Sequence, residues 1–204
     1  ADAAAAGIMA SALGSSADVS GASHLPEAVV GSVAGVSGGS SLTAVRLEGF
    51  APSVSARVEA LTGLLGGQGP IETLHADASH AFWRDVRDCR PFADSARAEQ
   101  AVWRVSVAPD QGAGIVADLA AARELRAFYD WGGGLVWIET GSDGDAGAAE
   151  LRRAIAARGG GHATLVRAGA ALRSSVPVFE PEQPGLAALS ARLKAQFDPE
   201  NVLN

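Results

Sequence analysis

Cysteine is all but missing: Cys89 stands alone among 204 residues, which excludes an intrachain disulfide and any zinc or iron–sulfur site built from several thiolates. A lone thiol is compatible with a reducing compartment. Positive charge is scarce as well, with 16 Lys and Arg against 23 Asp and Glu, so a net charge of -7 and a pI near 5 offer phosphates no concentrated basic face. Nucleic acid is not an expected partner. Long apolar runs are absent too, each broken by Gly, Ser or charge well before the roughly 20 residues that span a bilayer, and no direct membrane insertion is expected. The opening ADAAAAGIMASALGSS lacks the basic flank of a signal peptide and reads as helix. It has no initiator Met, which leads to the expectation of a piece cut from a longer protein.

The compact enzyme motifs are also missing: no GxGxxG, no P-loop, no HExxH, and no GxSxG between strand and helix. The four histidines, His24, His75, His80 and His162, form no ligand pair on one helical face with a carboxylate third, so no metal site is expected. Chemistry must come from dispersed residues.

What is present is apolar material, 48% by the broad count, enough for one sizeable core or two small fused ones. The 3.6-residue period predicts helices over Ser53–Leu65, Ser79–Arg90, Ala146–Arg158 and Gly185–Phe197. In the last of these Leu186, Leu189, Leu193 and Phe197 share a face, and each Leu, if buried, contributes about 1.5 to 3 kcal/mol, so the tail is expected to pack. Alternation predicts strands over Leu42–Glu48, Pro70–His75, Val102–Val107, Gly134–Glu139 and His162–Arg167, with a weaker one over Asp18–His24. Gly31–Ser41, Ala108–Gly114 and Gly141–Gly147 read as loops. The order strand, helix, strand occurs in Leu42–His75 and again in Gly134–Arg167. The expected fold is therefore α+β, with two ferredoxin-like halves, about 1–100 and 101–204, each an antiparallel sheet covered by helices on one face.

Three places invite a functional reading. In Val102–Val107 alternation sets Trp103, Val105 and Val107 on one face and turns Arg104 to the other, where a guanidinium on a rigid strand can hold a carboxylate in bidentate fashion. A structural ion pair on a sheet face is the plainer alternative. Asp130, Trp131 and the run Gly132–Gly134 precede a strand, and suit either a tight turn or a ligand packed against main chain. His162 follows three glycines that serve as a helix C-cap, and opens a strand where an imidazole can meet a substrate or cofactor. Trp83 reads as core or interface, and Cys89 as half-buried and unreactive.

Taken in order, SGASHLP (Ser20–Pro26), AVRLEG (Ala44–Gly49), FWRDVRD (Phe82–Asp88), VWRVSV (Val102–Val107), DWGGG (Asp130–Gly134), GGHAT (Gly160–Thr164) and LKAQFDPENVLN (Leu193–Asn204) cover nearly the whole chain. Together they resemble the C-terminal cap part of the FAD-binding E subunit of bacterial glycolate oxidase, in the vanillyl-alcohol-oxidase type of FAD-linked oxidase. The resemblance implies that residues 1–204 are a cap over a flavin whose pyrophosphate is held by an N-terminal domain not contained in this sequence. It departs from the family at Asn204, beyond which the family continues into a Pro-Gly-Arg turn.

The implied reaction is oxidation of a 2-hydroxy acid such as glycolate to the 2-oxo acid, with FAD as cofactor. The resemblance casts Arg104 and His162 as catalytic, the first as the cation facing the substrate carboxylate or the flavin and the second as the hydrogen-bonding or general-base group near the substrate hydroxyl. It places Asp130 and Trp131 in the pocket wall and Asn204 at the cofactor. It implies a sister flavin subunit and an iron–sulfur subunit as partners, a cytoplasmic location peripheral to the inner membrane, and an isolated chain without activity. The competing reading is a small-molecule-binding regulatory or assembly module with tandem ferredoxin-like halves.

Overall fold

The computed structural model describes residues 2–36 and 38–203. The chain opens with α1 (Asp2–Leu13), β1 (Gly21–Leu25), the single turn α2 (Glu27–Val30), β2 (Leu42–Arg46), α3 (Ala51–Leu65) and α4 (Ala76–Arg87). Two 3₁₀ turns, Arg90–Phe92 and Ser95–Arg97, then lead into β3 (Ala101–Ser106), α5 (Gly112–Ala120), β4 (Leu125–Asp130), β5 (Leu135–Thr140), α6 (Ala148–Ala157) and β6 (His162–Arg167). The chain ends with α7 (Ala170–Ser175) and α8 (Pro184–Phe197).

All six strands join one antiparallel sheet in the order β2-β1-β4-β5-β3-β6. The stretch from β3 to β6 is a β-α-β-β-α-β run whose four strands are contiguous in the sheet. The first half has no such run. Pro70–His75, expected as a strand, is irregular and exposed and pairs with no strand of the sheet, although edge strand β2 leaves one side open. The first half instead lends β1 and β2, which extend the sheet from β4 through the pairing of His24 with Tyr129. Two equal halves are thus corrected to one complete unit and an added hairpin-like pair.

Period-two alternation divides the sheet cleanly. Trp103, Val105, Tyr129, Val136 and Ile138 face α1, α5 and α6, burying Met9, Ile115, Leu119, Leu151 and Ile155 against them. The buried indole of Trp103 stays satisfied by donating from Nε1 to the Ala146 carbonyl at 3.1 Å. Val102 and Phe128 point the other way, into a second cluster with Leu25, Val29, Val30, Phe82, Val86 and Phe92. Helices therefore cover both faces, where cover on one was expected. The second layer is what encloses a cleft.

The tail also departs from expectation. α8 forms, but Leu186, Leu189 and Leu193 remain about half exposed and Phe197 is 82% exposed, so the burial energy foreseen for this stripe is not realised within the chain. The helix end is held by polar groups. The Asp198 carboxylate accepts from Val202 N–H at 2.7 Å and Leu203 N–H at 2.8 Å, and pairs with Lys194.

Candidate functional site

One end of the second face, where the Asp130–Leu135 row lies, is left uncovered by the apolar cluster. Successive rows on this face run Arg126–Glu139–Val102–Arg167, then Phe128–Trp137–Arg104–Thr164, then Asp130–Leu135–Ser106–His162, across β4, β5, β3 and β6. Phe82, Val86 and Phe92 cover the Phe128 side of the middle row, and beyond them α4 stands off the sheet. The result is a cleft of about 600 Å³. Its floor carries Arg104, Trp137, Leu135 and Asp130, its far wall Gly21 and Arg46, and its roof His80, Trp83, Arg84 and Arg87 from α4.

The roof residues recur at i, i+3, i+4 and i+7, the spacing of one helical face. Phe82 and Val86 take the adjoining face into the core, and Trp83 meets Phe82 edge to face, with ring centroids 5.3 Å apart. On the floor Trp137 stacks on Phe128 at 6.4 Å. The indoles are therefore braced by packing before anything binds.

The electrostatics are unusual for a chain of net charge -7. Four arginines line the cleft, with Asp130 as the one acidic residue in its lining. Arg46 pairs with Glu48 at 2.8 Å and Arg87 with Asp88 at 2.7 Å. Among the described residues neither Arg84 nor Arg104 forms an ion pair. Arg104 lies instead over Trp131, its guanidinium carbon 5.5 Å from the ring centroid. The plainer reading of Arg104, a structural salt bridge, is not the arrangement found.

Trp131 is held out at the mouth, 60% exposed, by a strained turn: it has φ 52°, and its N–H donates to the Asp130 carboxylate at 2.8 Å. Gly133, at φ 101°, lets the turn close against Pro109, since a Cβ there would stand 2.6 Å from the Pro109 carbonyl oxygen. The DWGGG run is thus a tight turn that presents an indole to a cleft. Burial pushes the Asp130 carboxyl above the usual carboxylate range, partly offset by the Trp131 N–H. Burial, with Asp130 and Asp88 nearby, pushes the Cys89 thiol up to about 12.

No protein-family model matches the chain, and no curated protein matches it either.

Of the expected site residues, Arg104, Asp130 and Trp131 meet around this cleft. His162 does not join them: it opens edge strand β6 opposite Ser106, exposed and three strands from Asp130, a backbone separation of roughly 14 Å. The imidazole that lines the cleft is His80. Asn204 lies outside the described residues. His80, Arg84, Trp83 and Trp137 were not singled out as site residues from the sequence. The four-residue face of α4 was the available signal for three of them, and Trp137 needed the sheet register. Among the described residues no group of His, Cys, Asp and Glu is arranged to hold a metal ion, and no helix is long and apolar enough to cross a membrane.

Proposed function

We propose that this chain is the cap domain of an FAD-dependent 2-hydroxy-acid oxidoreductase subunit, covering the flavin and shaping the pocket for a small acid such as glycolate. The observation that carries the reading is Arg104: a guanidinium with no carboxylate partner among the described residues, fixed on the floor of a tryptophan-lined cleft. A carboxylate of the ligand would fill that place with a charge-assisted, two-point hydrogen bond. Arg84 supplies a second cation from the roof.

The residues fit the substrate side of such a site. Trp131, projecting at the mouth, is the flat group that would lie against the flavin ring, and the sequence holds no GxGxxG run to grip a pyrophosphate. FAD, when bound, supplies the hydride acceptor. This chain's part is to orient the acid through Arg104, to exclude water with Trp83, Trp131 and Trp137, and to take the hydroxyl proton on the Asp130 carboxylate. A carboxylate of raised pKa is the better base, so Asp130 replaces His162 in that role. The four-strand unit from β3 to β6, ferredoxin-like in its order, is the rigid carrier of the floor. A sister flavin subunit, an iron–sulfur subunit and a cytoplasmic setting belong to the same proposal.

Three of the four tryptophans line the cleft, so intrinsic fluorescence reads its occupancy directly. Titration with glycolate and lactate is expected to give a saturable change that Arg104→Ala abolishes while circular dichroism stays native. A flat titration, or an unchanged affinity in the variant, overturns the assignment.

A second reading, an assembly or regulatory module, is favoured by the exposed stripe of α8. Concentration-dependent association in sedimentation, lost on Leu189→Glu, is the outcome that supports it.

A further inference from the structure

A second polar cavity, of about 540 Å³, shares no lining residue with the cleft. It lies at the opposite end of the same sheet face, between the end of α2 and the two 3₁₀ turns, and is lined by Ser32, Arg90, Asp94, Ser95 and Arg126 with adjoining backbone. Beneath it is an unbalanced ion cluster. The buried Glu139 carboxylate receives Arg97 at 2.7 Å, Arg126 at 2.9 Å and Arg167 at 3.1 Å, so three guanidiniums share one carboxylate.

That arithmetic leaves an excess of about two positive charges close to the cavity, and the rim residues Arg90 and Asp94 cancel each other. Arg126 links cluster and cavity. Its Nε donates to Glu139 and its Nη2 to the Pro91 carbonyl at 3.0 Å, while Nη1 has no hydrogen-bond partner among the described residues. The exposed side chain of Arg90 has no ion-pair or hydrogen-bond partner among those residues, nor do the Ser32 and Ser95 hydroxyls.

We propose that this cavity binds a phosphate group, with Arg90 and Arg126 as its cationic ligands and Ser32 and Ser95 as hydroxyl donors. A dianion matches the surplus charge. Donors arriving from three separate segments suit a tetrahedral oxyanion, whose oxygens point in several directions, better than the planar fork of a carboxylate. The site is independent of the 2-hydroxy-acid reading, since neither cavity uses the other's residues.

The test is calorimetric titration of the whole chain with inorganic phosphate at constant ionic strength, with chloride as the control. Saturable binding is expected, weakened at least tenfold by Arg90→Gln and unchanged by Arg104→Ala. Arg90 is exposed and has no partner among the described residues, so Arg90→Gln tests the site without disturbing the Glu139 cluster, and Arg126→Gln serves as the second variant. Glycerol 3-phosphate, titrated alongside, separates the sources: tighter binding than the free ion assigns a phosphate ester, and equal binding assigns phosphate itself. Absence of saturable binding overturns the proposal, as does binding insensitive to Arg90→Gln or lost in Arg104→Ala. Glycolate binding measured on Arg90→Gln is expected to match the unsubstituted chain, so failure here is distinguishable from failure at the cleft.

Discussion

The guanidinium of Arg104 lies over the indole of Trp131, 5.5 Å from its centroid, although one residue sits on strand β3 and the other on the turn after β4. Such a contact contributes about 0.5 to 1 kcal/mol at an exposed site, and it aims the arginine into the cleft. Trp131→Ala is accordingly expected to weaken 2-hydroxy-acid binding about two- to fivefold. Calorimetry is the suitable measurement, because the indole is itself one of the fluorescent reporters. Equal affinities would show that Trp131 does not orient Arg104.

Asp130 gives a pH dependence of definite sign. Its carboxyl is pushed up by burial, so the folded chain holds that proton to higher pH than the unfolded chain does. The stability tied to it is fully present below the unfolded value, about 3.9, and is lost as pH rises through the folded value. Asp130→Asn removes the titration while keeping an oxygen to accept from Trp131 N–H. The variant is expected to have the higher Tm at pH 7, with the advantage shrinking toward pH 3.5; parallel Tm–pH curves would contradict this.

Cys89 should be a slow nucleophile. With its thiol pushed up to about 12, the native chain holds far less thiolate at pH 8 than an unperturbed cysteine, and alkylation by iodoacetamide is expected to run at least about a hundredfold slower than in urea. Comparable native and denatured rates would place the thiol in a different environment.

Glu139 is the one wholly buried carboxylate among three arginines, whose side chains remain 22 to 41% exposed. Arg167 also donates to the Gln100 carbonyl at 3.0 Å and to that of Phe92, tying the 3₁₀ turns to the sheet. Removing one partner of a buried ion pair costs about 3 to 5 kcal/mol, and partial exposure of these arginines discounts this to roughly 2 to 3 kcal/mol for Glu139→Gln in urea unfolding. A loss under 0.5 kcal/mol would mean that solvent already screens the cluster.

The strands most readily read from the sequence were those with a clean alternation of small and β-branched residues, β3, β5 and β6, all found within a residue of their expected bounds. β4 is not legible in the sequence because Arg126 interrupts its apolar pattern, and only register reveals that this arginine faces a buried glutamate on β5. The start of α5 overlaps the expected loop Ala108–Gly114, since Gly112 and Gly114 look like breakers; Gly112 is instead required where the helix passes close to the Gly133 backbone. Arg104, Asp130 and Trp131 were each visible as candidates, but not their convergence.

Local pattern alone carries the periodicities: which residues of each helix and strand share a face, that Arg104 turns away from Trp103, and that no multi-thiolate or GxGxxG motif is present. Those are local properties, set by 3.6- and 2-residue repeats and by residue chemistry. Which faces meet is a matter of long-range packing. Bringing β4 beside β5 joined Asp130 to Arg104 and left His162 on the far edge, and placing α4 above the sheet made a floor and a roof into a cleft. Such pairings join residues distant along the chain, and their energies come from burial and charge balance that no local pattern records.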